Sequence, residues 1–281
     1  VTSIFRFYLR FLNNFVDPVH HMGAAIAAAH TIFNISNVII LTPFVSLLDK
    51  FLLFVVKDTG EDEMRVTKLA SLKMTLPSVI IEQTKIEVNS MVTIIEDVFL
   101  KLEESLKEKD KIAKYNDSVV EAEDKLDLYE KEIYDSNFSL LSKSLSKDLI
   151  EDTRMNLLTC DEYETIGDYQ NRIANRLFML YENSIELDET RAKMIFKLHS
   201  LAVELFNDIS RAARTGEKEL YPIGMKKYQA LKIYYKEVKR EHFSRSENIP
   251  ARLNTGYLDI INYYKRIADH TYNIIEYVMK L

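Results

Sequence analysis

Apolar positions recur at three- and four-residue spacing through most of this 281-residue chain. Between residues 77 and 108, for example, Ile80, Met91, Ile95 and Phe99 follow this spacing. Such a pattern places apolar side chains on one face of a helix. It predicts six helices, over residues 77–108, 115–146, 149–182, 189–215, 222–246 and 254–280.

Residues that form turns are scarce, which also favours helices. No proline occurs between Pro77 and Pro222, and no glycine occurs between Gly60 and Gly167. A sheet protein would need such residues to connect its strands. The predicted fold class is therefore all-α.

Two short segments of the chain nearly repeat each other, 101 residues apart. The first is Ile166-Gly167-Asp168 and the second is Ile267-Ala268-Asp269, and an isoleucine follows each aspartate after five residues. The segments lie on the third and sixth predicted helices. A repeat of this length indicates a duplicated unit, so we expect a pair of packed three-helix bundles.

The N-terminal part of the chain has a different character. No Asp, Glu, Lys or Arg occurs from Pro18 to Leu48, and residues 23–48 are long enough to cross a bilayer core of about 30 Å. We expect a membrane segment with a tilt or a break near Pro43. A buried helix in a soluble core is the alternative interpretation of this run.

Composition divides the chain into three regions: the end of a membrane domain at 1–57, a linker at 58–76 and a helical domain at 77–281. Residues 1–57 carry a net charge of +2, which leaves −8 for the remainder of a chain whose net charge is −6. The acidic charge of residues 58–281 argues against nucleic acid as the main partner.

Cys160 is the only cysteine, which excludes a disulfide framework.

Carboxylates with helical spacing are the best candidates for chemistry. Glu164 and Asp168 lie four residues apart on the third helix, and Glu123 and Asp127 have the same spacing on the second. On antiparallel neighbouring helices, the four side chains would converge and repel unless a cation lay between them. Oxygen ligands suit a divalent or iron-type metal. The alternative is that these carboxylates are simply solvated surface.

Asp269, in the second copy of the repeat, is the fifth candidate metal ligand. Lys265 lies four residues before it, where the first copy has Glu164. This spacing also predicts an ion pair that would neutralise Asp269 without a metal.

His30 and Asn34 are the candidates for ion or substrate binding in the N-terminal run, because they share one helical face. Polar residues at membrane depth line wet cavities or form hydrogen bonds between helices, and both interpretations remain open. The chain has no phosphate-binding glycine loop, nucleophile elbow or zinc ligand set, so we expect no enzyme activity.

Several motifs resemble those of one protein family. Residues 29–34, followed by Pro43-Phe44, resemble the end of the membrane domain of bacterial sodium/phosphate symporters. The six-helix region is similar to the PhoU-like domain fused to many of these transporters. The likeness is carried by residues 123–127, 163–168, 240–242, 256–260 and 266–270.

The resemblance implies sodium-coupled phosphate transport in the plasma membrane by a full-length protein, regulated by a cytoplasmic helical domain. It also implies metal clusters at carboxylate motifs, which here correspond to Glu123, Asp127, Glu164 and Asp168. The family's glutamine-serine-serine motifs are missing from this sequence. We therefore interpret the chain, which begins at Val1, as a C-terminal fragment that would not transport alone.

Three hypotheses follow. The first is the C-terminal part of a sodium-dependent phosphate transporter. Phosphate and sodium are the expected ligands of the full-length protein, and a homodimer is one assembly that it could form. The second is a membrane-tethered PhoU-like signalling or metal-binding module that acts on a separate transporter. The third is a carboxylate-bridged metalloenzyme.

Overall fold

The computed structural model describes residues 23, 27, 30–39, 41, 42, 44, 67–69, 76–141, 145–245 and 249–279. The chain divides into two compact units, residues 1–64 and residues 65–281. In the first unit, residues 30–39 are helical. None of the helices in the described ranges is long and apolar enough to cross a membrane, and much of the predicted membrane segment lies outside those ranges.

The second unit contains six helices in its described ranges, as the sequence pattern predicts. They are α1 (Pro77–Lys107), α2 (Lys109–Leu141), α3 (Lys147–Glu182), α4 (Glu189–Thr215), α5 (Leu220–Ser244) and α6 (Ala251–Met279). Helices α1, α2 and α3 pack on one another, and so do α4, α5 and α6. The two three-helix units join along α3 and α6, with a smaller contact between α1 and α4. The all-α class is confirmed.

Local sequence explains where several helices begin and end. Pro77 starts α1, where its missing N–H costs no hydrogen bond. Asp188 caps α4 by accepting from the Arg191 backbone N–H at 3.0 Å, and Gly216 ends α4 at a φ of 72°.

Helix α2 begins six residues before the predicted start at 115. Glu108 alone, with φ −131° and ψ 113°, separates α1 from α2. The polar residues that suggest a loop here, such as Lys109 and Lys111, are also good helix formers. A single extended residue is therefore enough to reverse the chain.

A short segment ahead of α1 packs on the bundle, although it lies within the predicted linker at 58–76. Leu69 is 1% exposed. The backbone N–H of Thr67 donates to Glu132 Oε2 at 2.9 Å, and that of Lys68 donates to Glu87 Oε1 at 3.1 Å. These bonds attach Thr67–Leu69 to α1 and α2.

Buried aromatic rings connect the two three-helix units through their core. The ring of Phe99 on α1 lies 5.4 Å from that of Phe206 on α4, and Tyr163 on α3 lies 6.0 Å from Phe206. All three are at most 2% exposed. Tilted and edge-to-face rings at such distances add to the energy of apolar burial.

One buried carboxylate also joins the units. Glu162 on α3 is 7% exposed and accepts hydrogen bonds from three side chains of α6. His270 Nδ1 lies 2.7 Å from Glu162 Oε2, Asn273 Nδ2 lies 3.1 Å from Oε1, and the Tyr277 hydroxyl lies 2.7 Å from Oε1. A buried carboxylate is tolerated when its lone pairs are satisfied in this way.

His199 on α4 predicts a pH dependence of stability. Its side chain is 1% exposed, and burial lowers its pKa from 6.5 to about 4. The folded protein therefore binds fewer protons than the unfolded chain between pH 6.5 and pH 4. The stability that the neutral imidazole contributes is complete above pH 6.5 and is lost as the pH falls towards 4. From pH 7 to pH 5, the free energy of unfolding should fall by about 2 kcal/mol.

Urea unfolding at pH 7 and pH 5 measures this loss, with His199→Gln as the comparison because its side chain stays neutral. The variant should lose about 2 kcal/mol less than the wild type over this interval. Equal losses in the two proteins would contradict the prediction.

Candidate functional site

Helices α2 and α3 approach each other closely at Gly167. A Cβ atom at this position would overlap Cδ1 of Leu126, a side chain that is only 1% exposed. Glycine therefore sets the distance between the two helices. The polar residues beside this contact are consequently held against each other.

These polar residues form four facing pairs, which we call the carboxylate ladder. Tyr134 faces Asp161 and donates its hydroxyl proton to Oδ1 at 2.7 Å. Next along the helices, Glu130 lies near Glu164, and Asp127 lies near Asp168. The fourth pair is Glu123 and Asn171. The two inner pairs thus consist of carboxylates alone.

The electrostatics of the inner pairs disfavour full ionisation. Burial raises the pKa of Glu164 to about 7, and the negative charges of Glu130 and Asp168 add to this effect. Burial and then Asp168 raise the pKa of Asp127. Burial and then Asp161 raise that of Glu130. A proton or a cation between the helices would relieve this repulsion.

One guanidinium group lies at the ladder. Arg172 Nη2 is 2.6 Å from Asp168 Oδ2, and this ion pair lies within a single turn of α3. In the described part of the chain, no group of three or more His, Cys, Asp or Glu side chains is arranged to hold a metal ion. The ladder is therefore not a preformed metal site in this conformation.

The structure brings together all four first-copy residues that the sequence selects, Glu123, Asp127, Glu164 and Asp168. Sequence reasoning missed Glu130 and Asp161. Helical spacing could have found Glu130, which lies seven residues after Glu123 on the same face of α2. The same spacing could have found Asp161, which lies seven residues before Asp168 on one face of α3.

The second copy forms a different site around Asp269. Lys265 Nζ lies 2.5 Å from Asp269 Oδ2, which confirms the ion pair predicted from their spacing. The Tyr228 hydroxyl donates to Asp269 Oδ1 at 3.1 Å, and the ring of Tyr228 stacks on that of Tyr272 at 4.3 Å. Asp269 thus has partners from the protein itself and lies apart from the ladder.

His30 and Asn34 lie on the N-terminal helical segment. Asn34 Nδ2 is 3.1 Å from His30 Nε2, as expected for residues that share one helical face. Both are in an exposed setting. The nearby hydroxyls of Ser36 and Thr42 bond to carbonyls within their own helix, at 2.7 and 2.6 Å. Whether His30 and Asn34 bind an ion remains a prediction.

Comparison with protein families identifies the fold of the second unit. The model of the PhoU domain matches residues 88–177 and 195–278, one match on each three-helix unit. The chain belongs to the PhoU domain family. None of the curated protein sequences gives a significant match.

Solved structures support the same fold. The phosphate transport system regulatory protein PhoU from Streptococcus pneumoniae matches with a TM-score of 0.63 at 18% identity, over 73% of this chain and 95% of that chain. PhoU from Pseudomonas aeruginosa matches with a TM-score of 0.64 at 17% identity, over 70% of this chain and 94% of that chain. At such identities the likeness shows the fold alone.

Gly167→Ala tests the close approach of the helices in this PhoU domain. The new methyl group must displace the buried Leu126, so we expect a net loss of about 1–3 kcal/mol in the free energy of unfolding. In a Leu126→Ala background the space is free. There, the same change should gain up to about 1 kcal/mol, because alanine favours helices over glycine.

Chemical denaturation of the two single variants and the double variant gives the coupling between the positions. A Gly167→Ala change with the same sign in both backgrounds would show that Leu126 does not set the approach.

Glu164→Gln tests the cost of ionising Glu164 in the ladder, to which burial contributes most and the neighbouring carboxylates add. The pKa of Glu164 is about 7 in the folded protein and 4.5 in the unfolded chain. The stability that protonated Glu164 contributes is therefore complete below pH 4.5 and is lost as the pH rises to 7. Glutamine avoids this loss. After allowance for partial exposure, the variant should gain about 1–2 kcal/mol at pH 8 and little at pH 4.5.

Glu121→Gln is the matched control, since this glutamate is exposed on α2 and lies outside the four pairs. Urea unfolding at pH 8 and pH 4.5 should show little change in it. If Glu164→Gln destabilised the domain equally at both pH values, the folded protein would not bear a cost for ionising Glu164.

Proposed function

We propose that residues 65–281 regulate phosphate transport, and that the chain is the C-terminal part of a sodium-dependent phosphate transporter in the plasma membrane. The observation that carries the regulatory role is the match of the PhoU domain to both three-helix units. The solved relative from Streptococcus pneumoniae is named as a phosphate transport system regulatory protein. This role is regulatory and needs no catalytic step.

The transporter part of the proposal has support from sequence. The charge-free run from Pro18 to Leu48 precedes the PhoU domain in the same chain. Residues 29–34 and Pro43-Phe44 resemble the end of the membrane domain of sodium/phosphate symporters. This arrangement would join the PhoU domain covalently to the membrane part that it regulates, with phosphate and sodium as the ligands of that part.

The second candidate is a PhoU module that is tethered to the membrane and acts on a separate phosphate transporter or sensor kinase. The PhoU structures from Streptococcus pneumoniae and Pseudomonas aeruginosa support it, because this chain covers 95% and 94% of those chains, so the PhoU fold makes up nearly all of each solved chain. Both candidates give the PhoU domain the same regulatory role and differ in where the transporter lies.

A cation at the carboxylate ladder is a further element of the proposal. The ladder offers the oxygen ligands that divalent or iron-type metals accept, although no three of the described side chains are arranged to share one ion in this conformation. In the presence of Mn²⁺ the melting temperature should rise more for the wild type than for Glu164→Gln. Equal shifts, together with elemental analysis that finds no metal in the purified chain, would remove the metal from the proposal.

The regulatory role is tested by deleting residues 65–281 from the chromosomal gene and measuring uptake of labelled phosphate by cells grown in low and in high phosphate. We expect uptake to persist and to lose its dependence on the phosphate supply. Unchanged dependence on supply would contradict a regulatory role.

Replacing sodium by potassium in the assay buffer separates the two candidates. If the gene encodes the symporter, uptake that depends on this gene stops without sodium. If the chain acts on a separate transporter, a complete deletion of the gene leaves an uptake activity whose control alone is altered.

A further inference from the structure

Three exposed apolar side chains lie at the end of the bundle where α2 connects to α3, and we call them the apolar patch. Phe138 and Leu141, in the last turn of α2, are 75% and 48% exposed. Ile150, in the first turn of α3, is 45% exposed. Single apolar side chains are ordinary on a protein surface, whereas neighbouring ones mark a contact site.

The apolar patch continues the carboxylate ladder. Phe138 and Leu141 follow Tyr134 after four and seven residues, so they lie on the same face of α2. Ile150 precedes Asp161 by eleven residues, three helical turns, on the same face of α3. The bond of 2.7 Å from Tyr134 to Asp161 fixes the register, and both helices run from it to their connection. The patch and the ladder therefore form one surface.

The ladder gives this surface a large excess of negative charge. It contributes the carboxylates of Glu123, Asp127, Glu130, Asp161, Glu164 and Asp168. Arg172 pairs with Asp168, and no other lysine or arginine of the described ranges forms an ion pair with any of the six. At the patch, Arg154 lies 3.7 Å from Glu151, which offsets its charge. The surface is thus apolar at one end and acidic along the rest.

We propose that the apolar patch and the carboxylate ladder together bind a basic amphipathic helix of a partner protein. Apolar side chains of that helix would cover the patch, and its lysines or arginines would pair with the ladder. The surface measures about 27 Å along α2 from Leu141 to Glu123, the length of a helix of about 18 residues. A groove between two helices commonly accepts a third helix in this way.

This inference rests on the proposed regulatory function, for which the domain must contact a transporter or a sensor kinase. It adds the chemistry of the contact: the partner contributes positive charge and an apolar face. Complementary charge of this kind selects the partner and fixes its register.

Other occupants match the surface less well. A second copy of the chain, related by a two-fold axis, would bring two acidic ladders together. The anionic surface of a bilayer would be repelled by the same carboxylates. A metal ion at the ladder would leave the apolar patch exposed. A basic amphipathic helix satisfies both parts of the surface.

The test uses a fluorescein-labelled peptide of about 18 leucines and lysines whose leucines share one face of a helix. Fluorescence anisotropy at pH 8, with the full chain as titrant, should give a Kd below about 100 µM. A peptide of the same composition in scrambled order has no apolar face, so it should bind at least about tenfold more weakly.

Variants with matched controls locate the binding surface. Phe138→Ala should weaken binding of the amphipathic peptide about tenfold, whereas Ile233→Ala, which changes an apolar residue of α5 that is 68% exposed, should not. Glu164→Gln should weaken it about threefold, and Glu121→Gln should have no effect. Because Phe138 is exposed, its change should leave the melting temperature unaltered.

Several results would overturn the inference. They are equal binding of the two peptides, equal effects of Phe138→Ala and Ile233→Ala, and no binding at all. Sedimentation velocity and flotation with phosphatidylglycerol vesicles test the other occupants. Self-association or vesicle binding that requires Phe138, without peptide binding, would assign the patch to a second copy or to a bilayer.

Phe138→Ala in the chromosomal gene separates this inference from the proposed function. We expect it to weaken the control of phosphate uptake. If it left that control intact while deletion of residues 65–281 abolished it, the regulatory role would stand and the docking surface would be wrong.

Discussion

The packing of α3 against α6 is the contact on which the rest of the PhoU domain depends. It is the most extensive contact between any two helices in the described part of the chain, and it joins the two copies of the repeat. Apolar burial supplies most of its stability, but apolar contacts alone permit several registers. Glu162 selects one register, because its three partners on α6 meet it only when the helices are correctly aligned.

This alignment has a consequence on the opposite side of α3. With one face held by α6 and another by α1, the third face of α3 must accept α2, and Gly167 permits a close approach there. The carboxylates of the two helices are then pressed together, and burial, reinforced by the charges of Glu130 and Asp168, raises the pKa of Glu164 to about 7. The repulsion in the ladder is therefore imposed by packing elsewhere in the bundle.

The sequence was sufficient for the six helices of the described second unit, for the all-α class and for placing Glu123 and Asp127 on the face of α2 that meets Glu164 and Asp168 on α3. Each of these depends on the period of a single helix or on one antiparallel contact. The start of α2 was not predictable, because one extended residue, Glu108, forms the turn. Glu162 was missed for a different reason, since its partners lie more than 100 residues away and no local pattern marks it.

The two copies of the repeat surround their shared aspartate with opposite charges. In the second copy, Lys265 lies 2.5 Å from Asp269 and neutralises it. In the first copy the position of Lys265 holds Glu164, which faces Glu130 and Asp168, so repulsion replaces an ion pair. A proton or a cation would relieve that repulsion. The bonds between Glu162 and α6 hold the two copies together without these carboxylates. A change of charge in the ladder should therefore alter the fit of α2 on α3 more than the contact between the two copies.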